Sequence, residues 1–409
     1  MTTISQSREA AKTSSWRGIL LVSGTCVGGG MLAMPIQTAE AGFFISFLIL
    51  LATWIFMTFT GLLLVETTLW LKEGVHFSSM TQLLLGKAGK ALSLVLYLFM
   101  NVASLVAYTS GGALLIDRWI LDFTGISIGY GASCALFTLI FGSIVYLGVA
   151  FIGKMNGWFI ILMGAIYCYL VGVGFFGLHM DYLAYRSAWL QGLNSFPLIF
   201  AAFSYQMIVP SLCSYLNYEA RDLKKSVVIG TAIPFAVYFL WLLVIHGVIP
   251  FEGAGGLQEA FKNGSMITEP VKAHFNSAFL LPLMDGFAFL ALVTSYFGLS
   301  IALFDFIKDL FKGISIELSK KWITVLSLVP SLILAICFPR ALLDFLDLSG
   351  GFGDALLSGL IPVAMVWIGR YRRKFTGDYQ VSGGKWSLII AGSFAFSIFI
   401  LQWVKLLSC

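Results

Sequence analysis

The sequence predicts an all-α polytopic membrane protein with eleven transmembrane helices. Three observations carry that reading. First, 59% of the 409 residues are hydrophobic and only 11% charged, with a mean hydropathy of +0.91. A soluble domain carries charge on roughly a quarter of its residues, so this chain cannot solvate its own exterior, which must face lipid. Second, the apolar residues gather into runs of about 20, the length a spanning helix needs. Third, Lys and Arg fall mainly on one side when those runs are threaded alternately through a bilayer. A soluble enzyme, a nucleic-acid-binding module and a disordered chain are excluded together. The formal charge of +5 therefore points to no nucleic-acid partner.

In chain order the runs are 17–38, 42–70, 91–116, 130–150, 154–178, 192–216, 227–249, 277–306, 322–338, 341–369 and 386–407. Residues 1–16 read as a tail, the polar stretch 73–90 as an interfacial connector, and the Gly-rich 251–276 as a longer loop. The first run has a basic flank, and Ala39-Glu40-Ala41 resembles a cleavage site. Its apolar part is too long for a signal peptide, however, and three glycines interrupt it. With the N-terminus inside, the inner segments hold 19 Lys and Arg and the outer ones 6, which accounts for all 25. The expected orientation is a cytoplasmic N-terminus and an outside C-terminus. Cys26, Cys134, Cys168, Cys213, Cys337 and Cys409 are scattered, as are the four histidines, so neither a disulfide framework nor a metal site is indicated.

Two runs are poor continuous helices. The first contains Gly24-Thr25-Cys26-Val27-Gly28-Gly29-Gly30 and then Pro35; the sixth contains Ala202-Phe203-Ser204-Tyr205-Gln206 and then Pro210. Consecutive glycines destabilise a helix, and each proline removes an N–H, freeing the carbonyls of Met31 and Gln206. A tight helix crossing would place small residues along one face, whereas Gly28-Gly29-Gly30 surrounds the whole helix. Unwound backbone at membrane depth is tolerated where it lines a cavity or is buried in protein. Interrupted first and sixth helices, five spans apart, predict a five-plus-five inverted repeat with the substrate between the repeats. The repeats would cover 17–178 and 192–369, with the eleventh helix at 386–407 as an addition.

The segment Gly24 to Pro35, with Ala41-Gly42-Phe43 after it, resembles the first helix of bacterial aromatic amino acid permeases, the tyrosine- and tryptophan-specific family. Ala107-Tyr108-Thr109-Ser110-Gly111 resembles that family's third helix. Phe203-Ser204-Tyr205-Gln206 with Pro210-Ser211 resembles its sixth, and Leu290 to Gly298 with Leu303-Phe304-Asp305 its eighth. The resemblance implies a leucine-transporter-type fold, a bacterial inner-membrane location, no cofactor, and symport of an aromatic amino acid with sodium or protons. Tyrosine and tryptophan are not separated by it. Two positions depart from the family: Gln206 stands where many members carry His, and Met163 where proton-coupled members carry a fifth-helix lysine. Lys154 lies too near the cytoplasmic end to replace it.

A zwitterionic substrate needs a partner for each charge. The N–H groups of Gly28, Gly29 and Gly30 open the outer half-helix and offer a positive dipole end to a carboxylate. Carbonyls near Thr25 would receive the ammonium. The resemblance adds Tyr108 as a hydroxyl donor, an interfacial or core tyrosine being the other reading. Phe203 and Tyr205 would flank an aromatic side chain, with Gln206 near its polar end, although ordinary packing accounts for many aromatics in such a chain. The spacing of Gly24, Val27, Ala291, Thr294 and Ser295 matches the sites where sodium-coupled relatives offer three carbonyls and two hydroxyls. Glu66 and Asp305 sit toward inner helix ends and read as structural, while Asp344 and Asp347 sit at the outer mouth.

Other functions fit less well. Gly351-Phe352-Gly353-Asp354 matches the Gly-x-Gly-Asp of intramembrane aspartyl proteases, but the preceding span, 322–338, lacks the second acid such chemistry requires. A passive channel would show a ring of like polar groups, and none is evident. A broader neutral amino acid transporter is the alternative within the same class. Beyond the substrate and membrane lipid, no protein partner is implied.

Overall fold

The structure is a computed structural model that describes residues 15–71, 76–184, 188–275, 279–312, 315–338, 341–377 and 379–408. The expected tail over 1–16 lies outside these residues except for Ser15 and Trp16, as do Lys72, Arg186, Arg340 and Cys409. The described residues are helical and contain no strand. Ten helices are long and apolar enough to cross a membrane, and a bent pair brings the count of spans up to eleven.

The first span is that bent pair, Ser15–Cys26 and Gly30–Ala41, turned by 54°. The second to fifth spans are Phe43–Leu71, Phe77–Thr124, Tyr130–Leu147 and Met155–Phe176. The third begins earlier than its apolar run. Most of the polar stretch 73–90 is helix, turned at Gly86, whose φ of 78° a side chain would resist. The sixth span, Trp189–Tyr215, and seventh, Ala220–Val248, lead into the expected loop. That loop carries two short helices, Leu257–Asn263 and Thr268–His274. The eighth to eleventh spans are Leu280–Lys312, Lys320–Cys337, Ala341–Arg372 and Gly384–Ser408. Within the tenth, Ser349–Leu360 winds as a π-helix.

Side chains are sorted by neighbour. The fifth span exposes Trp158, Ile161 and Phe176, a face suited to lipid, whereas the first, sixth and eighth are lined with buried residues. Several charged groups inside are paired. Glu66, wholly buried near the end of the second span, accepts from Arg370 Nε at 2.7 Å and Nη2 at 2.5 Å, and from the Val381 N–H at 2.7 Å. The fork geometry of the guanidinium suits a bidentate carboxylate. This ties the second span to the tenth and to the link before the eleventh. At the opposite ends of the spans, Arg118 pairs with Glu269 and, at 3.1 Å, with Asp285, which lies 3.4 Å from Lys272. That cluster clamps the loop between the seventh and eighth spans over the end of the third. Lys405 holds Asp347 at 2.6 Å and the Asn194 carbonyl at 3.0 Å, joining the eleventh, tenth and sixth spans.

Removing one member of a buried ion pair leaves the other uncompensated. Glu66→Ala is therefore expected to destabilise the protein by about 3–5 kcal/mol, read as a fall in thermal stability in detergent micelles. A variant as stable as the parent would show that the pair contributes nothing net.

Candidate functional site

The first and sixth spans each contain a break in regular helix, and each break has its own local cause. In the first span the helix ends at Cys26 and resumes at Gly30. The Met31 and Leu32 N–H groups reach back only three residues, to Gly28 at 3.2 Å and Gly29 at 3.1 Å, tightening the restart. Pro35 sits inside the resumed helix, so the glycines rather than the proline set the break. In the sixth span Phe196–Ala202 stops, a tight turn covers Gln206–Ile208, and Val209–Tyr215 continues. There Pro210 falls in the first helical turn, where an N–H has no intrahelical partner to lose.

The three glycines are required by three different neighbours. A Cβ on Gly28 would collide with the Ser295 hydroxyl of the eighth span. One on Gly29 would come within 2.6 Å of the Tyr108 ring and 3.1 Å of Leu292. One on Gly30 would press on Ala202 of the sixth span at 3.2 Å. The first span thus touches the third, sixth and eighth by bare backbone at one level. The Gly29 N–H donates to Ser295 Oγ at 3.0 Å, so it is already engaged rather than free.

The remaining residues divide into two groups. Tyr108, Ala291, Thr294 and Ser295 gather beside Gly28 and Gly29; the Thr294 hydroxyl donates to the Ala291 carbonyl at 3.1 Å, placing those two oxygens side by side. Gly24 and Thr25 are exposed on the N-terminal side of the break, and the Thr25 hydroxyl donates to Leu21 at 2.7 Å. Phe203 is buried edge-on against Tyr238, with ring centroids 5.1 Å apart. Tyr205 and Gln206 turn away to the second span. The Tyr205 hydroxyl donates to the Met57 carbonyl at 3.0 Å, and the Gln206 amide donates to Met57 and Thr60 at 3.3 Å. Gln206 also receives the Tyr205 N–H at 3.0 Å. Both side chains are therefore occupied in holding the second interruption open.

Tyr238 of the seventh span has no place in the sequence reading. Its buried hydroxyl lies 2.6 Å from the Cys26 carbonyl and 2.9 Å from the Ala202 carbonyl, the last helical residues before the two breaks. One phenol links both interruptions. No motif marks it; only the need to satisfy freed carbonyls in a dry interior would have pointed to a tyrosine facing them.

Residues 11–403 match the model of the tryptophan/tyrosine permease family. The Tyrosine-specific transport system 1 of Haemophilus influenzae is 30% identical over 376 residues, 91% of this chain and 92% of that protein. The Tryptophan-specific transport protein of the same organism is 28% identical over 389 residues, 91% of each. Among solved structures, the crystal structure of MhsT in complex with L-phenylalanine matches with a TM-score of 0.66. At 18% identity it covers 95% of this chain and 97% of the other, a likeness of fold.

Of the three glycines, Gly29 is the one whose Cβ would meet a ring, that of Tyr108. Gly29→Leu is expected to abolish uptake while the protein still inserts, because the side chain would occupy the contact with Tyr108 and Leu292. Normal uptake by correctly inserted protein would remove the break from the transport site.

Proposed function

The chain belongs to the tryptophan/tyrosine permease family, and from that premise we propose that it is a secondary active transporter importing an aromatic amino acid, tyrosine or tryptophan. It works by ion symport with alternating access in the bacterial inner membrane, with its N-terminus in the cytoplasm. The observation that carries this reading is the meeting of two interrupted helices at buried Gly28–Gly30 and Phe203, where backbone groups can receive both charges of an amino acid.

The substrate carboxylate docks at the start of Gly30–Gln37, beside Tyr108, where the helix dipole favours an anion. Ser295 Oγ holds the Gly29 N–H in the meantime, an uncharged oxygen in the place a carboxylate oxygen would take. The ammonium docks on carbonyls that end Ser15–Cys26, near Thr25. Phe203 offers its ring to the aromatic side chain. Tyr205 and Gln206 contribute by fixing the sixth-span interruption against Met57 and Thr60.

The burial of Gly28–Gly30, Tyr108 and Phe203 requires movement before a substrate can enter, which is the reason for alternating access. The two sides differ. The charged cluster around Arg118 and Asp285 closes the side away from the N-terminus. On the other side Gly24 and Gly298 are exposed, with nothing within 4 Å of where a Cβ would stand. That asymmetry supports a state closed on the outward side. For the coupling ion, Ala291, Thr294 and Ser295 border Gly28, with Gly24 and Val27 adjoining it in the chain. Three carbonyls and two hydroxyls there suit sodium; a proton is the other candidate.

Counterflow tests the substrate class: proteoliposomes preloaded with tyrosine or tryptophan should accumulate the labelled amino acid, and alanine or leucine should compete poorly. Equal competition by alanine and leucine would establish a broad neutral amino acid transporter instead. The sodium site is tested by imposing sodium and pH gradients separately. Sodium-driven accumulation lost on replacing Thr294 and Ser295 together with alanine supports the site. Accumulation driven by pH alone, unchanged in that double variant, removes it.

A further inference from the structure

The tenth span carries a buried acid for which the reading above has no use. Asp354 is wholly buried, in the π-helical stretch Ser349–Leu360, and π-helical turns are rare yet frequent at functional sites. Its motif has a packing explanation. A Cβ on Gly350 would collide with Pro197, one on Gly351 would meet the Gln402 side chain at 2.5 Å, and one on Gly353 would meet Met100 at 3.0 Å. Those glycines bring the tenth span against the sixth, eleventh and third, but they do not account for an acid beside them.

The surroundings of the carboxyl group are polar on one oxygen only. Oδ1 accepts from the Ser204 hydroxyl at 2.6 Å and from the Ser358 hydroxyl at 2.8 Å. Oδ2 is buried without a partner. Among the described residues no Lys, Arg or His forms an ion pair with Asp354. The ionisable groups on the elements packed around it supply no positive charge. The first span presents the Cys26 thiol and the third Tyr108, while Tyr205 of the sixth is turned to Met57. Glu66 of the second span is committed to Arg370, and Lys405 of the eleventh to Asp347. An isolated carboxylate in such a place is very costly, and intramembrane acids in transporters mark ion and proton paths. Ser204 stands between Phe203 and Tyr205 in the non-helical segment of the sixth span, so the acid is wired directly to the interruption.

We propose that Asp354 is a proton-binding residue that couples protonation to the geometry of the sixth-span interruption. The inference rests on the ion-symport reading and supplies a titrating group that Met163 cannot. With Oδ2 protonated the site is neutral and closes dry. When the carboxyl group meets water, the O–H bond breaks, the proton leaves to water and the electron pair stays on Oδ2. The resulting carboxylate holds the Ser204 and Ser358 hydroxyls more tightly, because charge-assisted hydrogen bonds are the stronger kind. The break is thereby biased toward a different arrangement.

The test uses the full chain in lightly buffered proteoliposomes, with a trapped pH dye reporting proton uptake alongside labelled tyrosine or tryptophan. Wild-type protein is expected to take up protons with the amino acid and to accumulate it under a pH gradient. Asp354→Asn, which mimics the protonated acid, is expected to lose the coupled proton uptake and at least about tenfold of the pH-driven accumulation, roughly the loss of one decade of drive. Should that variant fail to insert, Ser204→Ala decides. Loss of one hydroxyl donor to the charged form should move the pH of half-maximal uptake in the alkaline direction by about one unit. Proton-coupled accumulation by Asp354→Asn at the wild-type level would overturn the proposal. So would an unshifted profile in Ser204→Ala, or sodium-driven uptake by the wild type with no proton movement. Absence of any aromatic counterflow in the wild type would instead overturn the transport reading itself.

Discussion

A helix interrupted inside a bilayer frees backbone groups that water cannot reach, and a set of buried hydrogen bonds in this molecule answers that requirement. Tyr238 meets the carbonyls of Cys26 and Ala202 with one hydroxyl. Ser295 meets the Gly29 N–H, and Gln206 meets the Tyr205 N–H from the adjacent position in the chain. Each of the partners Tyr238, Ser295, Met57 and Asp354 belongs to a different span, the seventh, eighth, second and tenth. The interruptions are consequently held by the whole bundle, and a rearrangement of any of these spans is felt at the breaks.

This arrangement is suited to a binding site that must form and dissolve. Hydroxyls and amides satisfy backbone groups without fixed charge, so a charged substrate can displace them at modest cost. Fixed charges are kept elsewhere. Glu66 with Arg370 lies at one end of the bundle, and Arg118, Glu269, Asp285 and Lys272 lie at the other.

The spanning helices were legible because the bilayer imposes a length and a composition, and each apolar run coincides with a helix or a bent pair to within a few residues, apart from the third, which is longer at both ends, the early start of the seventh and the late end of the eighth. The first interruption was legible because three glycines cannot be read as ordinary helix. What the sequence hides is direction. Tyr205 and Gln206 sit at the second break as expected, yet their side chains face Met57 and Thr60. Non-helical backbone has no fixed periodicity from which to infer a face. Tyr238 was invisible because a tyrosine within an apolar helix carries no local signal, its role arising from spans brought together by folding. Gly351 and Gly353 match a protease motif in sequence, but their environment, like that of Gly350, makes them points of close approach.

The central claim is that an aromatic amino acid sits between the two interruptions. Hydrogen–deuterium exchange of the purified protein, with and without saturating tyrosine or tryptophan, addresses it directly by reporting on the backbone groups concerned. Protection on binding is expected in peptides spanning 24–31 and 201–208, with smaller effects near Tyr108. Unchanged exchange at both interruptions, with protection confined to another part of the chain, would contradict the account.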